Sequence, residues 1–295
     1  MQKKWYVDKY IENCHVYFKI KKFLFQKKTK FQKIEIFNLF NYGKSLVIDG
    51  IAQSAEKDEW VYHESLIHPA LILQPVNKKL EILVLGAGEG ATLRELLKYK
   101  NVKTITAVDI DLEAVKIFKK FFPKMHQGSF NDKRVNLVID SAENFLKTTE
   151  KKYDIIFSDI SDFTFFNLDS KENKSQINFY KLISRKLDRN GIFVMHTYEF
   201  DEVDYEDHFK IKRIVEKVFP KTYSYRSYIP FFAAYWGFLI SSPDRKFNPL
   251  NISSKIIQKR IRRQKLEKKL KYFSPDIFKA IFTLPPFLKK IENKI

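Results

Sequence analysis

The chain has 295 residues, 44% hydrophobic and 30% charged, with a formal net charge of +19. That length and apolar content suffice for a sizeable core and exclude a disordered tail or a small stapled scaffold. One cysteine, Cys14, excludes a disulfide framework or a cysteine-rich metal cluster, and no apolar run approaches the roughly 18 residues that a membrane-spanning helix requires.

Met1–Lys4 is basic, but no apolar stretch follows it as in a secretory signal, and a cytoplasmic protein without membrane attachment is expected. Residues 1–52 alternate apolar and polar side chains over Val16–Ile20, Lys33–Phe37 and Ser45–Ile48. Turn residues stand at Asn41–Gly43 and Asp49–Gly50. This pattern predicts a small N-terminal domain of antiparallel β-hairpins. Its first 34 residues hold ten lysines and two acids.

Glu56–Leu73 has a helical pattern. From residue 80 the chain alternates between strands, expected over 80–86, 103–108, 135–139, 154–158, 191–196, 222–228 and 236–242, and helices, expected over 90–99, 111–121, 142–149, 176–188 and 207–218. Such alternation predicts an α/β unit over residues 53–250, a Rossmann-like, doubly wound and mostly parallel sheet. Its ligands would bind at the carboxyl ends of the strands. Residues 251–295 hold thirteen Lys or Arg against three acids, and Ile and Leu recur at near-helical spacing through 255–271. This predicts a basic amphipathic helix packed on the α/β unit. The two basic ends are read as solvated faces, so nucleic acid is not an expected partner, although a nucleic-acid or anionic-membrane surface is the alternative.

Candidate chemistry gathers at three strand ends. In LEILVLGAGEGATLREL, Gly86, Gly88 and Gly90 form a tight turn between strand and helix, where a backbone can approach a ligand and helix N–H groups are free. The motif alone is weak. It gains weight from Asp109, which ends the next strand and can accept hydrogen bonds from ribose hydroxyls. YDIIFSDISD then supplies Asp159 and Asp162, one turn apart and able to face one cleft. Taken alone, such a pair can equally cap a helix or solvate a loop.

With KTKFQKIEIF, GKSLVIDGIAQSAEKDEWVYHESLIHPAL, HQGSFNDKRVNLVIDSAENFL and IPFFAAYWGF, these segments resemble the polyamine aminopropyltransferases, the family of spermidine and thermospermine synthases. The similarity covers nearly the whole chain, and DE-x-x-YHE at Asp58–Glu64 is its most specific part. Glu89, where an Asp is commoner, is similar to the thermospermine-type and agmatine-using branch. The resemblance implies a class I methyltransferase-like sheet. It also implies transfer of an aminopropyl group from decarboxylated S-adenosylmethionine to putrescine, spermidine or agmatine, with release of 5′-methylthioadenosine. No metal and no permanently bound cofactor are implied, and a homodimer or homotetramer joined through the N-terminal sheet is.

Residue by residue, the resemblance implies Asp159 as proton acceptor and Asp162 as an amine ligand. Asp109 would hold the ribose, Asp140 and Ser141 the adenine, and Gln32 of the N-terminal hairpins would complete the nucleoside site with Gly86 and Gly88. Tyr62 and His63 would line the amine cleft. Glu89 would repel the carboxylate of intact S-adenosylmethionine and favour an aminopropyl ammonium; its alternative is a pair with Arg94. Asp111 is expected to cap a helix. The chain departs from the family after Asp162, where Phe163 replaces a proline and a Gly-Pro-Ala element is missing, and at His196 and Phe232. Acids at Glu199, Asp201, Glu202, Asp204 and Glu206 form either an amine-attracting rim or a solvated loop. A methyltransferase and a non-catalytic nucleoside-binding homologue stand as the competing readings.

Overall fold

The structure is a computed structural model and describes residues 4–11, 14–160 and 173–294. Its first sheet comprises β1 (Trp5–Ile11), β2 (Cys14–Lys28), β3 (Lys33–Leu39), β4 (Gly43–Ile48) and β5 (Ile51–Ala55), paired antiparallel in chain order. Asp49 and Gly50 make the last hairpin turn, both at positive φ, as an Asp-Gly pair allows. The chain continues into α1 (Glu59–Leu71), β6 (Leu80–Leu85), α2 (Ala91–Leu97), β7 (Val102–Asp109), α3 (Leu112–Phe121) and α4 (Pro123–His126). Then follow β8 (Val135–Ile139), α5 (Ala142–Thr148), β9 (Tyr153–Ser158), α6 (Lys174–Lys186), β10 (Leu187–Glu199), α7 (Glu206–Glu216), β11 (Lys221–Ile229) and β12 (Ala234–Ser242).

The second sheet has the order β11-β12-β10-β9-β6-β7-β8. The strands from β10 to β8 run parallel, and β12 lies antiparallel between β10 and β11. Successive residues face opposite sides, as the two-residue period of a strand dictates. Ile82, Val84, Ile155 and Phe157 join the core under α1 and α2, while Leu83, Leu85, Ile156 and Phe193 join the core under α5, α6 and α7. Burying each such side chain contributes about 1.5–3 kcal/mol, which is why these strands read as unbroken apolar runs.

The N-terminal sheet docks on the second sheet's helices. Ile34, Ile36 and Leu46 pack against Ala114, Ile117 and Phe118 of α3 and Phe122 after it. Phe18, Phe37 and Val47 enclose Phe231 in the turn between β11 and β12. The first sheet therefore overhangs the carboxyl edge of the second.

The C-terminal residues form α8 (Ser254–Gln264), α9 (Pro275–Ile281) and α10 (Pro286–Glu292). The single helix expected over 255–271 stops early, because Lys265 takes a left-handed conformation (φ 58°) and turns Leu266 into the core. Ile257 and Ile261 of α8 enter the same core. The extension is fastened by Glu64 of α1, whose fully buried carboxylate accepts hydrogen bonds from the backbone N–H groups of Lys271, Tyr272 and Phe273 at 2.9, 2.9 and 2.8 Å. Replacing Glu64 with Ala orphans three backbone donors, one of them fully buried, and the expected loss of stability is about 3–5 kcal/mol. Urea unfolding and faster amide exchange at 271–273 check it, and a loss below about 1 kcal/mol would refute this anchor.

Candidate active site

Three backbone hydrogen bonds carry the ladder past the strand ends. Asp159 N–H donates to Leu85 O at 2.7 Å, Gly86 N–H to Val108 O at 2.8 Å and Asp140 N–H to Asp109 O at 3.0 Å. They set Asp159, Gly86, Asp109 and Asp140 in one row along the carboxyl edge. The chain leaves β6 for β7 on one side and meets β9 on the other, so the row lies at the point where the strand order reverses. Gly86 is required there: its φ is +89°, and a Cβ would stand 2.4 Å from the carbonyl oxygen of Asp159.

The half around Asp109 and Asp140 is built by short polar contacts. Asp109 accepts from Ala87 N–H at 3.0 Å and from Asp111 N–H at 2.9 Å. Burial pushes its carboxyl above the ordinary value, while these N–H groups and that of Gly88 oppose the shift. Asp111 caps α3 through Ala114 N–H, and its other oxygen accepts from Thr29 Oγ1 at 2.5 Å and Gln32 Nε2 at 3.2 Å. Gln32 thus reaches Asp111, beside the row, from the β2–β3 turn. Asp140 accepts from Ser141 N–H at 2.8 Å and Asn144 Nδ2 at 2.8 Å, and Ser141 itself caps α5.

The other half is acidic. One oxygen of Asp159 accepts from Tyr62 Oη and the other from Thr92 Oγ1, both at 2.7 Å. Glu89 does not pair with Arg94. Its Oε1 accepts from Ser54 Oγ of β5 at 2.6 Å and lies 3.6 Å from His63 Nε2. Arg94 instead holds both oxygens of Glu59 at 2.8 and 2.9 Å, and Glu59 meets His63 Nδ1 at 2.9 Å. His196 Nε2 lies 3.0 Å from the carbonyl of Ile160, which ties β10 to the residue after Asp159. Asp162 and Phe163 lie outside the described residues.

Sequence reasoning missed Thr92, Ser54 and Glu59. Thr92 and Ser54 act through single hydroxyls on partners 67 and 35 positions away, which no local spacing reports. The acidic loop after β10 turns largely onto itself. Glu202 pairs with Arg226, and Asp201 accepts from the backbone of Val203 and Asp204. Glu64, His68 and Glu95 come close enough to hold a metal ion, but the Lys98 ammonium already sits 2.5 Å from Glu95 and 3.6 Å from Glu64.

The comparisons with known proteins bear on this arrangement. Residues 59–251 match the model of the spermine/spermidine synthase domain, and residues 4–56 match the spermidine synthase tetramerisation domain. The chain belongs to the spermine/spermidine synthase family. It is 33% identical over 283 residues to a polyamine aminopropyltransferase of Sulfurisphaera tokodaii, covering 94% of this chain and 90% of that one. It is 32% identical over 269 residues to polyamine aminopropyltransferase 2 of Pseudomonas aeruginosa, covering 90% and 75%. A spermidine synthase in complex with the transition state analogue AdoDATO superposes with a TM-score of 0.84 at 28% identity, over 100% of this chain and 96% of that one. The spermidine synthase of Thermotoga maritima gives 0.85 at 26% identity, over the same shares. Among the described residues no helix is long and apolar enough to cross a membrane.

The buried charges give the family member's stability a defined pH window. Burial pushes the Glu59 and Glu95 carboxyls up, but His63 and Arg94 at the first, and His68, Lys98 and Arg94 at the second, outweigh it and hold both below the ordinary 4.5. Their stabilisation is full above that value and is lost as the pH falls. Burial pushes the His63 imidazole down, but the Glu59 hydrogen bond and the charges of Glu89, Glu59 and Asp159 raise it from 6.5 to about 9. Its stabilisation is full below 6.5 and is lost as the pH rises through about 9. Unfolding free energies measured across pH should peak between these limits. Glu95→Gln should flatten the acid side and His63→Gln the alkaline side; a wild-type curve without either slope would contradict the assignment.

Proposed function

We propose that the protein transfers the aminopropyl group of decarboxylated S-adenosylmethionine to a linear amine, putrescine, spermidine or agmatine, and releases 5′-methylthioadenosine. Membership of the spermine/spermidine synthase family supports the reaction class. The observation that carries the reading is the Asp159 carboxylate at the switch point, steadied by Tyr62 and Thr92 hydroxyls. Each of its oxygens keeps a further lone pair for an amine proton.

The reaction needs such a base more than it needs a metal. The sulfonium is already a good leaving group, whereas an acceptor amine of pKa ~10 is mostly protonated near neutrality. Asp159 takes that proton. The nitrogen lone pair then attacks the methylene beside sulfur, the C–S bond breaks, and its electron pair stays on sulfur as a neutral thioether. Asp109 holds the ribose, Asp140 and Ser141 read the adenine with Gln32 nearby, and Gly86 and Gly88 let the backbone come close. Glu89 binds the aminopropyl ammonium and disfavours a carboxylate in that position. Tyr62, His63 and Asp162 align the acceptor. Residues 53–250 carry this chemistry, 251–295 brace it, and the N-terminal sheet joins copies into a homodimer or homotetramer, a reading supported by the tetramerisation-domain match.

Asp159→Asn should lower kcat about 10²–10⁴-fold, the usual worth of a placed general base, while 5′-methylthioadenosine binding stays within about 3-fold. A loss under about 10-fold would remove Asp159 from that role. In competition assays Glu89→Gln should narrow the preference for decarboxylated over intact S-adenosylmethionine by about 10-fold or more, and an unchanged ratio would remove Glu89 from substrate selection.

A further inference from the structure

We infer that Glu59 and Arg94 are positioning residues for His63, fixing its ring so that Nε2 meets Glu89 Oε1 and leaves Glu89 Oε2 for the aminopropyl ammonium. The inference rests on the aminopropyl-transfer reading for its ligand, but its geometry stands apart from it.

Four groups alternate in charge from the protein interior to the cleft. Arg94 of α2 clamps Glu59 with two parallel hydrogen bonds, and its remaining donors go to Glu95 Oε1 at 2.9 Å and the Met125 carbonyl at 2.6 Å. The guanidinium fork is therefore fixed in its plane, which a lysine could not reproduce. Glu59 has one course left, one helical turn along α1: His63 Nδ1, 2.9 Å from Oε2 and 2.7 Å from the Glu59 carbonyl. Both acceptors demand a proton on Nδ1, so the tautomer and the ring plane are set together. The opposite nitrogen then points at Glu89, 3.6 Å away. Ser54 Oγ holds the same Glu89 oxygen from the other side at 2.6 Å. All five side chains are at least nine-tenths buried, so their charges interact with little screening by water.

The groups facing His63 come from several elements. They are Glu59 and Tyr62 on α1, Asp58 at its start, Glu89 in the glycine loop, Asp159 after β9, and Arg94 of α2 by way of Glu59. The carboxylates outnumber the cations, and this excess keeps a proton on Nε2 until about pH 9. With that proton in place the imidazolium faces Glu89 Oε1 as an ion pair at 3.6 Å and keeps the carboxylate oriented. Without it, two lone-pair-bearing atoms face each other, and Ser54 alone is left to hold Glu89 Oε1.

Glu59→Gln tests this, because glutamine keeps the size and one hydrogen bond but not the charge. A nitrogen-detected NMR titration of the His63 imidazole should show its midpoint falling from about 9 toward the ordinary 6.5. Between those midpoints the protonated fraction at pH 8 drops roughly 30-fold, and at pH 6 it changes less than ~2-fold. The kcat/KM for decarboxylated S-adenosylmethionine should follow, with a loss of that order at pH 8 that almost vanishes at pH 6, while 5′-methylthioadenosine binds as before. If Glu59→Gln does not fold, Arg94→Lys should shift both readouts in the same direction by a smaller amount. Unchanged midpoint and pH profile in the folded variant would make the pair a brace between α1 and α2 and overturn the inference. A wild-type enzyme that releases no 5′-methylthioadenosine with any amine would instead sink the aminopropyl-transfer reading, and the NMR titration would still decide the role of Glu59.

Discussion

Everything at the site depends on a row of backbone hydrogen bonds at the carboxyl edge of the parallel sheet. The bonds from Asp159 to Leu85, Gly86 to Val108 and Asp140 to Asp109 continue strand pairing one residue beyond regular strand. They fix three carboxylates and a glycine turn relative to one another without any side chain being asked to do so. Side-chain contacts then act as refinements on a rigid edge: Tyr62 and Thr92 on Asp159, Ser54 on Glu89, and Gln32 and Thr29 on Asp111. Because Ser54, Thr29 and Gln32 come from the N-terminal sheet, the site is finished only when that sheet docks on α3.

The net charge of +19 and the cationic ligands proposed for the cleft are compatible because the basic excess and the cleft carboxylates lie in different places. The excess positive charge sits in the first 34 residues (+8) and the last 45 (+10), whereas Glu59, Glu89, Asp109 and Asp159 meet between α1, the glycine loop and the strand ends. At physiological salt, exposed charges more than about 8 Å apart are largely screened. The buried carboxylates, with Arg94 and His63 among them, therefore set the potential that a substrate meets.

Much of this was legible in the sequence, for a physical reason. Central parallel strands are buried on both faces, so Leu80–Leu85 and Tyr153–Ser158 read as apolar runs bounded by turn residues, and Gly86, Asp109 and Asp159 mark where they end. The same logic fails where structure depends on distant partners. β2 runs to Lys28 although its second half is lysine-rich, because that half pairs with β3 and needs only one apolar face. The break at Lys265 has no local signal: it serves Leu266, which the core takes in. Glu64 looked like part of the YHE motif, yet its work is to hold a backbone more than two hundred positions away. The pairing of Arg94 with Glu59 rather than Glu89 is likewise a fact of helix docking, invisible in spacing alone.

The central question is whether the row of strand-end carboxylates carries out group transfer to an amine. The most direct measurement is a mass-spectrometric product analysis of the wild-type protein with decarboxylated S-adenosylmethionine and a panel of putrescine, cadaverine, agmatine, spermidine and spermine. The expected products are 5′-methylthioadenosine and one new aminopropylated amine in equal amounts. Bound 5′-methylthioadenosine with no aminopropylated product from any of the five amines would contradict it.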